Sequence, residues 1–193
     1  MIVYLADLSE IEANSNLILK YEGLLSDTEK ERYLKMADSH RKLQFLVGRS
    51  LIFENCRQSP VLLENGKPVV KGKFISLAHS GPFVVLALSD SPVGVDIEDS
   101  SKIKNFDALA GRLGFSLTSD KHFSFYQNFT RYEADYKMAE NNLKIAHKFY
   151  SIKTFIVCVS LLNNKENIDF VKSTPFVSVT PFIPQEIADE NIS

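Results

Sequence analysis

The chain has no tryptophan and only two cysteines among its 193 residues. Cys56 and Cys158 lie far apart and form no C-x-x-C pair, so no disulfide framework is indicated. Two buried thiols in a reducing compartment are the expected reading, and one disulfide is the alternative. Excess charge is also missing. Lys plus Arg number 22 and Asp plus Glu 24, a formal net charge of -2. That balance argues against a dedicated nucleic-acid binder while leaving room for a local basic patch. Long apolar runs are absent too. Phe83 to Leu88 and Phe155 to Leu162 are the longest. A membrane span needs a run of about 18 residues or more, far longer than either. The opening MIVYLADLSE has no basic segment and too short an apolar run for a secretory signal, so a cytoplasmic protein without membrane attachment is expected. What remains is ordinary for a folded domain. Hydrophobic residues make up 45% and charged residues 24% of the chain. Such a balance excludes a disordered tail, a collagen-like repeat and a coiled coil. One large domain or two small, closely packed ones fit this length.

The β-branched and apolar stretch Met1 to Leu8 predicts a strand. Ser26-Asp27-Thr28-Glu29 has the S-x-x-E form of a helix capping box, and a helical pattern follows to about Glu54 with a break near Asp38-Ser39. Leu43, Leu46, Val47 and Leu51 recur at helical spacing and are expected to face a core. Asn65-Gly66 between Leu62-Leu63 and Val69-Val70 predicts a hairpin. Three short strands are expected at 74–78, 83–89 and 93–98, separated by Ser80-Gly81-Pro82 and Asp90-Ser91-Pro92. Helices are expected over 105–113 and 130–149, then strands over 153–162, 168–172 and 176–179. The polar end from Gln185 is expected to fray. The order strand, helix, small sheet occurs twice, without a residue-level repeat or a long linker.

Five clusters carry candidate chemistry. In Gly94-Val95-Asp96-Ile97-Glu98, residues two apart share a strand face, so Asp96 and Glu98 stand side by side while Val95 and Ile97 face the core. Two carboxylates about 4 Å apart repel by about 4 kcal/mol at an effective dielectric near 20, which a cation or a shared proton would relieve. Mg²⁺ suits such hard oxygen donors; the plainer reading is two solvated acids at a strand end. In Phe129 to Lys137, Glu133 and Lys137 share a helix face. They are an exposed ion pair, or Thr130 and Glu133 form a capping box, or Glu133 is a third metal ligand with Lys137 a phosphate contact. His79 ends a strand at a Ser-Gly-Pro turn, as a hydrogen-bonded structural residue or an anion contact. Lys30, Arg32, Lys35, Arg41, Lys42 and Arg49 surround the first helix, either as a solvated charged face or as a phosphate patch. Gly66-Lys67-Pro68 alone indicates a turn.

In order, the chain carries L-S-x-x-E, F-L-V-G-R, G-K-P, S-L-A-H-S, G-V-D-I-E and F-T-x-x-E-A-x-x-K. From about Leu25 to Lys137 this resembles the 4′-phosphopantetheinyl transferase superfamily, of the surfactin-synthetase-activating type. The resemblance implies an α+β fold of two similar subdomains related by a pseudo-twofold, each a small mostly antiparallel sheet with packed helices. They would span 1–95 and 96–184, followed by a flexible tail at 185–193. It implies transfer of the 4′-phosphopantetheine arm of coenzyme A to a serine of an apo acyl or peptidyl carrier protein, with release of adenosine 3′,5′-bisphosphate. Fatty-acid, polyketide and nonribosomal-peptide carriers all remain open, and a monomer would suffice.

The resemblance also implies roles. Asp96, Glu98 and Glu133 match the family's magnesium positions, with Mn²⁺ as a substitute ion. Lys137 matches the lysine that contacts the pyrophosphate. His79 and Arg41 match residues near the adenosine 3′-phosphate, with Lys30 as a helper and Lys42 as an alternative to Arg41. Gly66, Lys67 and Pro68 match the segment beside the adenosine, and Ala78 stands in the coenzyme-binding S-L-A-H-S segment. Glu133, directly or through a water it orients, is the candidate base for the carrier serine, and Lys137 would stabilise or protonate the departing phosphate. The chain departs from the pattern at Phe129, usually Trp; at Tyr132, usually Lys; and at Ala78, usually Ser. The expected F-x-x-x-E between Glu98 and Phe129 is missing, with Gly114-Phe115 as its nearest remnant. A diverged member that binds coenzyme A or a carrier without transfer is one alternative, and an unrelated Mg²⁺-dependent phosphodiesterase using the same acids is another.

Overall fold

The computed structural model describes residues 1–12, 14–56, 62–64, 67–102, 105–138, 144–163, 165–175 and 178–189. The apolar opening forms strand β1 (Ile2–Asp7). Helix α1 (Ser15–Gly23) starts where the Asn14 side chain accepts the Leu17 N–H. The capping box is present at helix α2 (Asp27–Lys35). Glu29 N–H donates to Ser26 Oγ at 3.4 Å and Ser26 N–H to Glu29 Oε2 at 3.1 Å. The exchange satisfies two otherwise unpaired donors. Backbone in the extended region at Met36 ends α2, and Asp38 caps helix α3 (Ser39–Asn55) by accepting the Arg41 N–H at 2.6 Å. The expected break near Asp38-Ser39 is therefore a second N-cap.

Strands β2 (Leu62–Glu64) and β3 (Lys67–Val69) pair antiparallel, as the hairpin signal predicts; Asn65 and Gly66 lie outside the described residues. Then follow β4 (Phe74–Ser80), β5 (Phe83–Ser89) and β6 (Val93–Asp99), and helices α4 (Phe106–Leu113) and α5 (Lys121–Met138). The chain continues with β7 (Ala146–Ile152), β8 (Phe155–Leu161), β9 (Asp169–Thr174), β10 (Ser178–Pro181) and β11 (Gln185–Ile187).

The fold is mixed α+β with two small, mostly antiparallel sheets. One has the order β10-β9-β1-β5-β4, in which β1 with β9 is the only parallel pair among the described residues; the other has the order β11-β7-β8-β6. The period of two along each strand sorts side chains between layers. Val3 and Leu5, Phe83 and Val85, Val95 and Ile97, and Val157 and Val159 fill the core between the sheets. The opposite face of the first sheet (Tyr4, Ala6, Val84, Leu86) packs on Leu43, Leu46, Val47 and Leu51 of α3, which confirms the expected buried stripe. The outer face of the second sheet (Phe149, Ile156, Cys158) is covered by α4 and α5 through Ala110, Phe125 and Ala134. Edge strands β4 and β6 lie side by side where the sheets meet, tied by Val95 N–H donating to Ser76 Oγ at 2.9 Å.

Three expectations change. The helix expected over 130–149 is instead α5, which begins at Lys121 and ends at Met138, while Ala146–Ile152 is a strand. Thr130 is thus no cap. Its Oγ1–H donates to Tyr126 O at 2.8 Å within the helix, the back-bonding open to a mid-helix threonine. The first sheet draws β9 and β10 from the far end of the chain, so residues 1–95 do not contain it alone. The expected tail starts with a paired strand, β11, and α5 holds the residues beyond it through Gln127 Nε2 donating to Ala188 O at 2.6 Å. Its last four positions, 190–193, lie outside the described residues. Cys56 and Cys158 are buried and unbonded to each other, as expected. Among the described residues no helix is long and apolar enough to cross a membrane.

Candidate functional site

Strand β6 distributes G-V-D-I-E as its alternation dictates. Val95 and Ile97 lie in the core between the sheets, and Gly94, Asp96 and Glu98 face α5. Gly94 decides how close the helix comes. A methyl built on it would lie 1.9 Å from Ala134 O and 2.8 Å from Ala134 C, both backbone atoms of α5. Ala134, the small residue of E-A-x-x-K, is fully buried at this crossing. The glycine of one motif and the alanine of the other are a single contact, and it brings the carboxylate of β6 to the last turn of α5.

Asp96 is 6% exposed. Lys137 Nζ donates to its Oδ1 at 2.6 Å and to Val95 O at 3.3 Å. The other carboxylate oxygen, Oδ2, is buried and has no hydrogen-bond partner among the described residues. Burial pushes the Asp96 carboxyl up to about 6; the Lys137 ammonium pulls it down, and Glu98 and Glu133 push it up again. Desolvation disfavours the charged form and outweighs the ammonium here. All three predicted acids therefore act on one locus, and Lys137 pairs with Asp96 across the interface rather than with Glu133 along its own helix. Among the described residues, however, no three His, Cys, Asp or Glu side chains are gathered closely enough to hold a metal ion. The donor chemistry still suits a hard dication. A buried carboxylate oxygen lacks a partner, and two further carboxylates raise the local negative potential.

Beside this locus a cleft of about 260 Å³ opens between β4 and α5, lined by Pro68, Ile75, Ser76, Leu77, Glu133, Tyr136 and Lys137. It gathers Pro68, Glu133 and Lys137 of the predicted set. Gly66 lies outside the described residues, and the Lys67 backbone lies in β3.

His79 sits at the end of β4, on the side covered by α3. Partial desolvation of its ring, then the charges of Lys137, Arg41 and His40, hold its imidazolium below the usual range. Arg41 is therefore in electrostatic reach of His79. His40 Nε2 lies 2.7 Å from Gly81 O, and Gln44 Nε2 donates to the same oxygen at 2.9 Å, which fixes the start of α3 to the Ser80–Pro82 turn. Lys42, the alternative to Arg41, places its Nζ 5.2 Å from the centre of the Tyr33 ring. Lys30 is exposed on α2 and does not line the cleft. Ala78 also differs from expectation: its side chain is 3% exposed in the core between the sheets, not open to the cleft.

The F-L-V-G-R segment is structural. A methyl on Gly48 would meet Leu77 Cδ2 at 2.8 Å, so the glycine lets α3 lie close over β4. Arg49 Nε lies 2.7 Å from Glu29 Oε1, both side chains nearly enclosed, which joins α3 to the α2 capping box. Phe129 keeps an aromatic packing role, its ring nearly parallel to Phe125 at 5.9 Å, and Tyr132 meets Phe115 edge-on at 6.0 Å.

Two features escape the sequence reading. Asp135 accepts Ser160 Oγ–H at 2.7 Å and lies 2.9 Å from His147 Nε2, anchoring α5 to β8 and β7; nothing local marks partners 12 and 25 residues away. Tyr136 lines the cleft while 67% exposed. Its spacing of three from Glu133 is the signal that places it there. No family model matches the chain, and no curated protein matches it.

Proposed function

We propose that this protein transfers the 4′-phosphopantetheine arm of coenzyme A to a serine of an apo carrier protein. The observation that carries the reading is the Asp96–Lys137 pair with its partnerless Oδ2, at a cleft bordered by Glu133 and Pro68. Segments distant in the sequence, each with a role in the resemblance, supply one polar locus.

The chemistry follows from the side chains. The carrier serine oxygen attacks the phosphorus that bears pantetheine, forming a new O–P bond. The bond from that phosphorus to the bridging oxygen breaks, and its electron pair leaves with adenosine 3′,5′-bisphosphate. Glu133 takes the serine proton. Lys137, one helical turn further on, has a side chain 24% exposed and reaches the cleft. Its ammonium offsets charge on the leaving phosphate. Asp96 would hold Mg²⁺ together with waters and substrate phosphate oxygens, with Glu98 and Glu133 adding negative potential around it, and the ion when bound would offset charge on the transferring and leaving oxygens. The cleft is smaller than the roughly 300–1,000 Å³ of sites that engulf a ligand. The reading therefore seats the pyrophosphate region there and lays the nucleotide across the exposed face toward His79 and Arg41. Binding that remote phosphate helps position the reacting centre.

Incubation with coenzyme A, Mg²⁺ and a panel of apo carriers, followed by intact mass of the carriers, tests the proposal. The expected result is a gain of one phosphopantetheine arm on at least one carrier; folded protein that modifies none would defeat it. A second reading, a diverged member that binds coenzyme A or a carrier without transfer, draws on Lys137 already occupying Asp96 and on Tyr132 standing where the pattern has a cation. Calorimetric binding of coenzyme A without turnover would favour that reading. Release of adenosine bisphosphate without a carrier would favour a phosphodiesterase instead.

A further inference from the structure

We infer that Lys137 is a tethered counter-cation: it holds the place of the divalent ion at Asp96 and is exchanged for that ion when substrate phosphate draws the ammonium into the cleft. The inference rests on the transfer reading and concerns how the same site is loaded. Its basis is the asymmetry of one carboxylate. Oδ1 carries the Lys137 ammonium at 2.6 Å, Oδ2 is buried without a partner, and the same ammonium reaches Val95 O at 3.3 Å. Asp96 is thus paired through one oxygen only, with a group on a flexible four-carbon stem.

A divalent ion bound to Asp96 would sit about 2.1 Å from a carboxylate oxygen. The ammonium, hydrogen-bonded to the same small group, would then stand only a few ångströms from a double positive charge, and the two repel strongly in a buried place. They therefore compete. Lys137 has an alternative: its side chain lines the cleft with Glu133, Tyr136 and Ser76 and is 24% exposed, so the amine is able to swing to a phosphate oxygen without moving α5. The helix itself is pinned by the Gly94–Ala134 crossing, so the exchange is a side-chain motion. Two consequences follow. Without substrate, the ion binds weakly. With coenzyme A present, ion and coenzyme favour each other, and linkage makes that coupling reciprocal.

The test is Mn²⁺ binding to the full chain at pH 8, read from the free-ion signal in electron paramagnetic resonance, with and without coenzyme A. Lys137→Met is expected to bind Mn²⁺ at least about tenfold more tightly than the unaltered protein in the absence of coenzyme A, within the usual range of coupling between sites. Adding Asp96→Asn is expected to abolish that gain. Lys137→Arg keeps the charge and grips a carboxylate with two donors, so it is expected to bind Mn²⁺ more weakly than the unaltered protein. It also carries the test if Lys137→Met fails to fold, since Arg binding equal to or tighter than the unaltered protein overturns the exchange. Lys137→Met binding no tighter than the unaltered protein likewise overturns it. If Mn²⁺ binds all Lys137 forms alike and still requires Asp96, the exchange fails while the metal site stands. If no form binds Mn²⁺ even with coenzyme A, the exchange and the metal-dependent transfer reading fall together.

Discussion

Replacing Gly94 by alanine isolates the contact on which the whole site depends. The added methyl would lie 1.9 Å from Ala134 O and 3.2 Å from Met138 Cβ, whereas ordinary van der Waals contact begins at 3.4 Å. Trimming a side chain gives no relief, because the obstructing oxygen belongs to the backbone of α5. Neither element yields easily: β6 is paired with β8 over its full length, and α5 is anchored through Asp135 and Ala134. Overpacking of a well-filled core costs about 1–3 kcal/mol, and with backbone on both sides the upper end, about 3 kcal/mol, is the expected loss. In a chain of this size that lowers the melting temperature by roughly 6–12 °C. The same displacement would separate Lys137 from Asp96, now 2.6 Å apart, so transfer activity should fall further than stability at a temperature where the variant is folded. Thermal unfolding followed by far-ultraviolet circular dichroism, beside the carrier-mass assay, reads both effects. Gly111→Ala in α4 is the control. Its methyl meets nothing within 4 Å. A helical glycine changed to alanine should gain about 0.5–1 kcal/mol. If Gly94→Ala melts within about 1 °C of the unaltered protein, far less than overpacking demands, α5 does not lie on β6 as described, and the reasoning about the site fails with it.

Three other outcomes follow from the same geometry. Burial raises the Asp96 carboxyl to about 6 from the ordinary 3.8, so between those values the folded state keeps a proton that the unfolded chain has lost. Ionising Asp96 therefore costs stability as pH rises through that window, and the cost is complete above it. Asp96→Asn should gain on the unaltered protein between about pH 4 and pH 8, by on the order of 1–3 kcal/mol in urea unfolding, while losing transfer; an unchanging difference across that range would contradict the assignment. Glu29→Ala should cost about 3–5 kcal/mol by leaving a buried charge without its partner, and the double change Glu29→Leu with Arg49→Met should cost much less. The Arg49 guanidinium is the group left enclosed. Equal losses for both would show that the pair is not the source of the stability. Glu98→Ala should abolish Mg²⁺-dependent transfer with stability unchanged or higher, because it removes a charge that opposes Asp96; full activity would remove Glu98 from the site.

Local chemistry settled a good deal without reference to the fold. The capping box at Ser26, the second N-cap at Asp38, the apolar stripe of α3 and the alternation that sends Val95 and Ile97 inward are all short-range consequences of residue type. The mixture of strands and helices follows from those periods, while the α+β class is what the resemblance implies. The start of α5 escapes the sequence reading although Asp120 caps it by accepting the Phe123 N–H at 3.0 Å, because the aromatic-rich stretch before Phe129 shows no clear apolar stripe and its helical face is set by the sheet it covers. The return of β9 and β10 to the first sheet is a long-range pairing that no neighbouring residue encodes. At the site, the sequence alone determined which residue types stand at which spacing on β6 and α5. Only the tertiary structure decided that Gly94 meets the backbone of Ala134, that Asp96 is buried with one oxygen unpartnered, and that Lys137 reaches across the interface to it. The physical reason is that burial and charge pairing depend on how closely two elements approach. That distance is fixed by packing between segments far apart in the chain, not by the neighbours of either residue along it.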